Sequence, residues 1–229
     1  MSIETKTDYR HEWKHEINWQ DCLIIRQRLR AVAQPDPYAK GGFYQICSLY
    51  FDNLNDKALR EKLDGVICRE KFRIRYYNHD PSVIHLEKKS KLNGLGSKFM
   101  CALTKDEAEK IIRNDLNWMV TDERPLVCEL YFKMKSQGLR PKTIVDYIRE
   151  PYVYGPGNCR ITLDHHIRTG LNSVDFLDPD CPTIPVPDDP IILEVKWDAY
   201  LPDLIRGAVQ LKGRRVSAYS KYAACRSYV

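Results

Sequence analysis

The stretch KFRIRY at residues 71–76 alternates strictly between charged side chains and apolar or aromatic ones. Successive side chains of a β-strand point to opposite faces, so Lys71, Arg73 and Arg75 share one face. Apolar side chains cover the other face. The stretch therefore predicts a strand that is charged along one side and buried along the other.

Five further segments show the same alternation, and each is read as a strand. They are YRHEWKHEI (9–17), VIHLEKKSK (83–91), TIVDYIRE (143–150), NCRITLDHH (158–166) and IILEVKW (191–197). Their polar faces carry Arg10, Glu12, Lys14 and Glu16; Glu87, Lys89 and Lys91; Tyr147 and Arg149; Arg160, Thr162, Asp164 and His166; and Ile192, Glu194 and Lys196. The neighbours His165 and His166 would face opposite ways, which indicates structural or exposed roles.

Two architectures accommodate these faces. In an open sheet the charges would face solvent, as the polar faces of half-buried strands usually do. Alternatively, the strands close into a barrel, helices cover its apolar outside, and the charges line a tunnel. The second is favoured, because the polar faces carry full charges rather than Ser and Thr, and enough helices are predicted to cover an apolar face.

Helices are predicted between the strands. The predicted helices span 18–33, 55–65, 105–113, 124–137, 202–211 and 217–226. An additional strand is predicted at 43–51, and loops are predicted at NGLGS (93–97) and 172–190. Strands 66–77 and 82–91 form one predicted hairpin, and strands 141–154 and 158–168 form another. We therefore expect an α+β fold: a closed antiparallel β-barrel with helices packed around the outside, as a single domain over residues 1–229.

The overall composition is that of a soluble protein. Of the 229 residues, 29% are charged and 43% hydrophobic, and the formal net charge is only +5. The eight cysteines include no CxxC pair, so their spacing indicates no zinc or redox site. The first thirty residues lack the apolar core of a signal peptide, and no apolar run is long enough to insert into a membrane. We expect a cytoplasmic location.

A tunnel lined with cations needs negative charge to balance it. Glu12, Glu194 and other wall carboxylates supply a part, and a polyanion has to supply the remainder because isolated buried cations cost several kcal/mol each. Phosphate is the natural match for Arg and Lys. Carboxylates beside bound phosphates commonly hold Mg²⁺ or Mn²⁺, so Glu194 and Glu12 are the predicted metal ligands.

Several stretches at these positions resemble a known family. They are the ExK of Glu12 and Lys14, SLYFDN (48–53), REKFRIRYYN (69–78), LEKKSK (86–91), the YxR at Tyr147, RITLD (160–164), ILEVKWD (192–198) and SKYAACR (220–226). They resemble the triphosphate tunnel metalloenzymes, or CYTH-like superfamily, and most closely the VTC domain of polyphosphate polymerases. The resemblance implies transfer of the ATP γ-phosphate to a growing polyphosphate chain, with Mn²⁺ or Mg²⁺.

The resemblance also implies roles for individual residues. Phosphate contacts fall on Lys14, Arg73, Arg75, Lys89, Lys98, Tyr147, Arg149, Arg160, Lys196, Ser220 and Lys221, with the looser match at Lys98. The residues implied to be catalytic are Lys221, Arg73, Arg75 and Glu194, and Ser220 and Lys221 would bind the phosphate at the reacting end. Unlike the eukaryotic members, the chain carries no phosphate-sensing or membrane domain. Coupling of synthesis to transport would therefore require a separate membrane or transport protein.

Other functions remain open from the sequence. A tripolyphosphatase or nucleoside triphosphatase of the same superfamily would use the same tunnel, with water attacking in place of a chain end. A non-catalytic polyphosphate-binding module is a further alternative. A nucleic-acid partner is not expected, because few aromatic residues are interleaved with the basic ones and no recognition motif is present.

Overall fold

The computed structural model describes residues 5–211 and 213–227. Its strands are β1 Thr5–Ile17, β2 Gln34–Pro35, β3 Tyr44–Asp52, β4 Cys68–Tyr77, β5 Asp80–Leu92, β6 Leu95–Leu103, β7 Arg140–Tyr154, β8 Cys159–Thr169, β9 Ile184–Pro185 and β10 Ile191–Trp197. Its α-helices are α1 Trp19–Val32, α2 Lys57–Leu63, α3 Lys105–Ile112, α4 Pro125–Gln137, α5 Asp203–Val209 and α6 Lys221–Arg226. Short 3₁₀ turns span Lys40–Gly42, Asn117–Thr121 and Pro156–Asn158.

Eight of the strands close into a barrel. Their order is β7-β3-β4-β5-β6-β1-β10-β8, and β8 then pairs with β7. Every neighbouring pair is antiparallel. Closure leaves no unpaired strand edge in the ring, and the two-residue strands β2 and β9 pair with β7 and β8. The predicted closed antiparallel barrel is confirmed.

Helices cover the apolar outer face of the barrel on two sides. On one side, Phe72 and Leu86 of the sheet pack in a single buried cluster with Ile111 of α3 and Leu130 of α4. On the other side, a second cluster joins the sheet to α1 and α5, and its fully buried members include Ile25, Leu29, Ile161, Leu193 and Ile205. Burial of an aliphatic side chain stabilises the fold by about 1.5–3 kcal/mol. The alternating charged side chains consequently face the interior.

Strand β6 is missing from the sequence prediction, which assigned NGLGS to a loop. In the structure Asn93 and Gly94 have φ of 49° and 87° and form a two-residue turn that joins β5 to β6. Left-handed residues at both central positions are typical of the hairpin turns that match strand twist, and Asn-Gly is their preferred sequence. The strand continues from this turn to Leu103 and supplies Lys98 to the interior.

Two other predictions need correction. The final helix begins at Lys221 and not at residue 217, with Ser220 as its N-cap. The strict alternation predicted for β8 fails at His166, because a register shift occurs opposite Asp146 and Ile148 and His166 adopts φ of 50°. This bulge turns His166 out of the barrel, where its ring lies 5.5 Å from that of Trp19.

Candidate active site

The central wall of the barrel carries more positive than negative charge. In the described part of the chain, its nine cations are Lys14, Lys71, Arg73, Arg75, Lys89, Lys98, Arg149, Lys196 and Lys221. Its four carboxylates are Glu12, Glu87, Asp164 and Glu194. The wall therefore has a surplus of five positive charges, and its ion pairs fall into three groups.

The first group surrounds Glu12 and Glu194, which strand pairing places diagonally across β1 and β10. Lys14 Nζ lies 3.0 Å from Glu194 and 3.8 Å from Glu12, and Lys196 Nζ lies 3.2 Å and 3.4 Å from the same two carboxylates. Lys89 adds a contact of 3.4 Å to Glu12. Although burial raises the pKa of Glu194, the adjacent lysines hold it well below its ordinary range, so this carboxylate is ionised.

The second group joins the barrel to α6. Arg149 donates two hydrogen bonds to the buried Asp164, from Nε at 2.6 Å and Nη2 at 2.7 Å. Lys221 Nζ lies 2.5 Å from Asp164 and 3.2 Å from Glu194. The Ser220 hydroxyl accepts a hydrogen bond from the backbone N–H of Ala223 at 3.3 Å, which caps α6. The cap thus fixes the turn from which Lys221 reaches the wall.

The third group is centred on Glu87, which is 2% exposed. Arg73 Nε donates to it at 2.7 Å and Lys98 Nζ at 2.7 Å, while Arg75 Nη1 lies 4.0 Å away. Arg75 also donates to the Tyr147 hydroxyl at 3.1 Å. On β3, the Tyr50 hydroxyl accepts from Arg73 at 2.6 Å and the Ser48 hydroxyl accepts from Arg75 at 2.9 Å. The arginines of the RxR motif are therefore held in fixed orientations by acceptors on β3, β5 and β7.

Lys71 differs from the other wall cations. No carboxylate of the described residues lies within ion-pair distance of its Nζ, which instead sits 5.1 Å from the centre of the Tyr50 ring. Burial, together with repulsion from Arg73, lowers the pKa of Lys71 to about 8. The pKa of Tyr50 falls to about 7, because the attraction of Arg73 and Lys71 outweighs the effect of burial. This part of the wall is short of negative charge.

The structure brings most of the predicted site residues together on the barrel wall. Two of them, Arg160 and Ser220, also have partners outside the wall. Arg160 extends from the wall to Asp36, at 3.2 Å, and 41% of its side chain is exposed. The Ser220 oxygen accepts the hydrogen bond that caps α6, and a hydroxyl that accepts can still donate its own proton to a phosphate. The sequence prediction also left four central wall residues out of the site, namely Tyr50, Lys71, Glu87 and Asp164, although strand alternation places the last three on the charged face.

The donor set fits a divalent metal held jointly with a substrate. Within the described ranges, no group of three or more His, Cys, Asp or Glu residues is placed to ligate a metal. Glu12 and Glu194 nevertheless contact the same two lysines. The buried Thr162 hydroxyl, paired across the sheet with Glu194, has no hydrogen-bond partner among the residues that the structure describes. One or two carboxylates completed by phosphate oxygens and water are a common arrangement for Mg²⁺.

The chain is similar to one family of known domains and to several solved structures. The VTC domain model matches residues 9–229. A candidate adenylyl cyclase from Hippeastrum, whose structure is described as revealing a dominant triphosphatase activity, is 14% identical, with a TM-score of 0.57 over 100% of this chain and 96% of that one. A candidate adenylate cyclase from Bacillus halodurans is 13% identical, with a TM-score of 0.51 over 83% and 81%. None of the curated proteins compared with the chain matches it.

The structural likenesses, at these low identities, bear on the fold alone, and they agree with a barrel of the triphosphate tunnel type. Among the described residues, the helices are all too short or too polar to cross a membrane. The family match, in contrast, covers nearly the whole length and includes all three groups of wall charges. The chain therefore belongs to the VTC domain family.

Proposed function

We propose that this protein is a polyphosphate polymerase that transfers the γ-phosphate of ATP to the end of a growing polyphosphate chain. Membership of the VTC family supports an enzyme that acts on polyphosphate or a related triphosphate. ATP and inorganic polyphosphate are the proposed substrates and Mn²⁺ or Mg²⁺ the proposed cofactor. The proposed location is the cytoplasm, with a separate membrane protein wherever synthesis is coupled to transport.

The surplus of positive charge on the central wall carries the proposal. Inside the closed barrel the cations outnumber the carboxylates by five, and burial makes such unbalanced charge costly. A polyphosphate chain supplies about one negative charge for each phosphate and can contact successive arginines and lysines along the wall. Small monoanions would leave most of this charge unbalanced.

The same residues can perform phosphoryl transfer, which depends mainly on positioning and charge stabilisation. Arg73 and Arg75 are held rigidly enough to fix phosphate oxygens, and Lys221 reaches the wall beside Glu194. A divalent metal held by Glu194 and Glu12 would supply further neutralisation of phosphate charge. The attacking oxygen of a polyphosphate end is already ionised, so the reaction requires no strong general base.

One observation favours hydrolysis of a triphosphate as the second candidate. Ile46, Val145, Ile167 and Ile192 lie on the inner face, where they form a buried cluster with Tyr222 of α6. Beside Asp164 and Glu194, the interior is thus filled by apolar side chains and a helix. A partly filled interior suits a short substrate, whereas extension of a long chain requires a clear path.

Incubation of the protein with ATP and Mn²⁺, followed by sizing of the products on a gel, separates these functions. A ladder of long chains supports the polymerase, whereas orthophosphate alone supports the phosphatase. Unchanged ATP would contradict both and leave a binding module. Glu194→Gln should lower turnover by about a hundredfold or more, and the matched variant Glu123→Gln, at an exposed site outside the barrel, should retain full activity.

A further inference from the structure

Three further cations lie at one rim of the barrel, where β4 begins and β5 ends. Two of them, Arg69 and Lys91, pair directly across these strands, two residues outward from the paired wall lysines Lys71 and Lys89. Residues two apart on a strand share a face, so Arg69 and Lys91 continue the charged inner wall to its edge. Lys62 of α2 is the third of these rim cations. The phosphate contacts that the VTC resemblance implies include none of the three.

Helix α2 carries Lys62 over this rim. The helix is fixed to the end of β3, because the Asp52 carboxylate accepts hydrogen bonds from two backbone N–H groups of its first turn, at 2.9 Å and 3.1 Å. Burial and the positive charges of Arg69, Lys14 and Lys91 lower the pKa of Lys62. Coulomb interactions weaken with distance, so the Lys62 ammonium group lies among the cations of the inner wall.

The rim cations lack carboxylate partners. In the part of the chain that the structure describes, no carboxylate lies within ion-pair distance of any of the three. Glu61 pairs with the lysine one turn earlier on α2, at 3.8 Å, and Glu70 pairs with lysines on the outer face of the sheet. Asp64, at the end of α2, is exposed. Arg69 donates a hydrogen bond to the neutral carbonyl of Val66, which leaves its charge unbalanced.

The row of inward-facing cations on β4 is too long for a triphosphate. A strand rises about 3.3 Å per residue, so about 20 Å of strand separates Arg75 from Arg69. The hydrogen bond to Val66 holds the Arg69 guanidinium at the outer end of this row. The three phosphates of a triphosphate span far less than this distance. A triphosphate at Arg73 and Arg75 therefore leaves the rim cations unoccupied, whereas a longer chain reaches them.

The rim cations lie on the side of the barrel that the apolar cluster around Tyr222 leaves open. That cluster is built mainly by residues of β3, β7, β8, β10 and α6, and none of its described buried residues belongs to β4, β5 or β6. On the side of β5 and β6, 35% of the Lys89 side chain and 31% of the Lys98 side chain are exposed, so solvent reaches the wall there. A phosphate chain can therefore follow β4 and β5 past the apolar cluster.

From these features we propose that the rim cations form a subsite for the part of a polyphosphate chain beyond the reacting phosphates. The growing chain then passes the rim between α2 and the adjoining strands β4 and β5. This inference rests on the proposed polyphosphate substrate and adds a selection for chain length to it. The three side chains can turn towards phosphate oxygens without leaving a carboxylate unpaired.

Calorimetric titration of the whole protein with tripolyphosphate and, separately, with long-chain polyphosphate tests the subsite. Divalent metal is omitted, so that neither ligand is turned over. The combined variant Lys62→Gln, Arg69→Gln and Lys91→Gln should weaken binding of the long chain by about tenfold or more, because it removes three charge-assisted contacts. Its Kd for tripolyphosphate should change less than about twofold, because the rim lies farther from the central arginines than the screening length of about 10 Å at about 0.1 M salt. An unchanged Kd for tripolyphosphate also shows that the variant is folded.

A matched control removes the same net charge elsewhere. Lys105→Gln, Arg113→Gln and Lys135→Gln, combined at exposed positions on and beside α3 and α4, should leave both affinities unchanged. Lys98→Gln, on the central wall, should weaken both ligands. The proposal is overturned when the rim variant binds the long chain as tightly as the unmodified protein, when it loses tripolyphosphate equally, or when the control variant loses the long chain to the same extent. Failure of the polymerase proposal would appear instead as missing chain extension in the gel assay, with the rim-dependent Kd intact.

Discussion

Substitution of Lys71 by methionine should make the ligand-free protein more stable and its polyanion binding weaker. Lys71 is the wall cation without a carboxylate within ion-pair distance among the described residues, and burial lowers its pKa from 10.5 to about 8. Methionine keeps the length of the side chain and removes its charge. A residue retained for ligand binding at the expense of stability should show these opposite effects.

The size of the stability effect follows from the pKa. A decrease from 10.5 to about 8 corresponds to about 3 kcal/mol of penalty on the charged form, and partial access of solvent to Nζ reduces the expected gain to about 1–2 kcal/mol. For a protein of this size that gain raises Tm by about 3–6 °C. Below pH 8 the lysine is charged in both the folded and the unfolded state, so the full penalty applies. Between pH 8 and pH 10.5 the folded protein loses this proton while the unfolded chain keeps it, so the penalty disappears over this range.

Thermal unfolding of Lys71→Met at pH 7 and pH 10, together with titration with tripolyphosphate, measures both effects. Loss of one charge-assisted contact should weaken binding by about 10- to 100-fold. Lys105→Met, at an exposed position on α3, is the matched control and should change neither quantity. A Lys71→Met protein that is less stable at pH 7, or that binds tripolyphosphate as tightly as before, would refute the reasoning.

Three further predictions concern the barrel and its supports. Asp52→Asn should lower the free energy of unfolding by about 1–3 kcal/mol in urea titration, because the carboxylate accepts from Tyr222 and from the first turn of α2. Gly157→Ala should lower the free energy of unfolding by about 1–3 kcal/mol more than Gly138→Ala. Both glycines have positive φ, but a Cβ at Gly157 would lie 2.5 Å from a backbone oxygen. Although burial raises the pKa of Glu87, Arg73 and Arg75 hold it well below its usual value, so Glu87→Gln should destabilise fully at pH 7 and pH 5, and its effect on the free energy of unfolding should shrink progressively as the pH falls below the ordinary pKa of a glutamate.

Strand alternation predicted the barrel interior well wherever the strands are regular. Arg73, Arg75 and Glu87 lie on adjacent strands with their side chains in contact, as a period of two residues requires. The same rule failed at His166, because a bulge in β8 changes the face on which the following residues lie. A bulge depends on the pairing of β8 with β7, which a single strand's sequence does not reveal.

The partners of individual charges could not be predicted from alternation. Lys98 was assigned only loosely, since β6 was not recognised, and the structure places it 2.7 Å from Glu87. Asp36 lies in a connecting segment, and its contact with Arg160 depends on how that segment folds over the barrel end. Such contacts arise from tertiary packing between elements that are far apart in the sequence, and local patterns carry little information about them.

The ion pairs divide the wall into cations that a buried carboxylate keeps in place and cations that can turn towards a ligand. Arg149 and Lys221 share a fully buried carboxylate, so their withdrawal would leave Asp164 unpaired at a cost of several kcal/mol. Lys89 and Lys98 are about one-third exposed, and Glu12 and Glu87 each keep other cations when these lysines turn away. A phosphate chain can therefore recruit the exposed lysines while the buried pairs keep their geometry, which allows tight binding of a polyanion without unfolding the empty barrel.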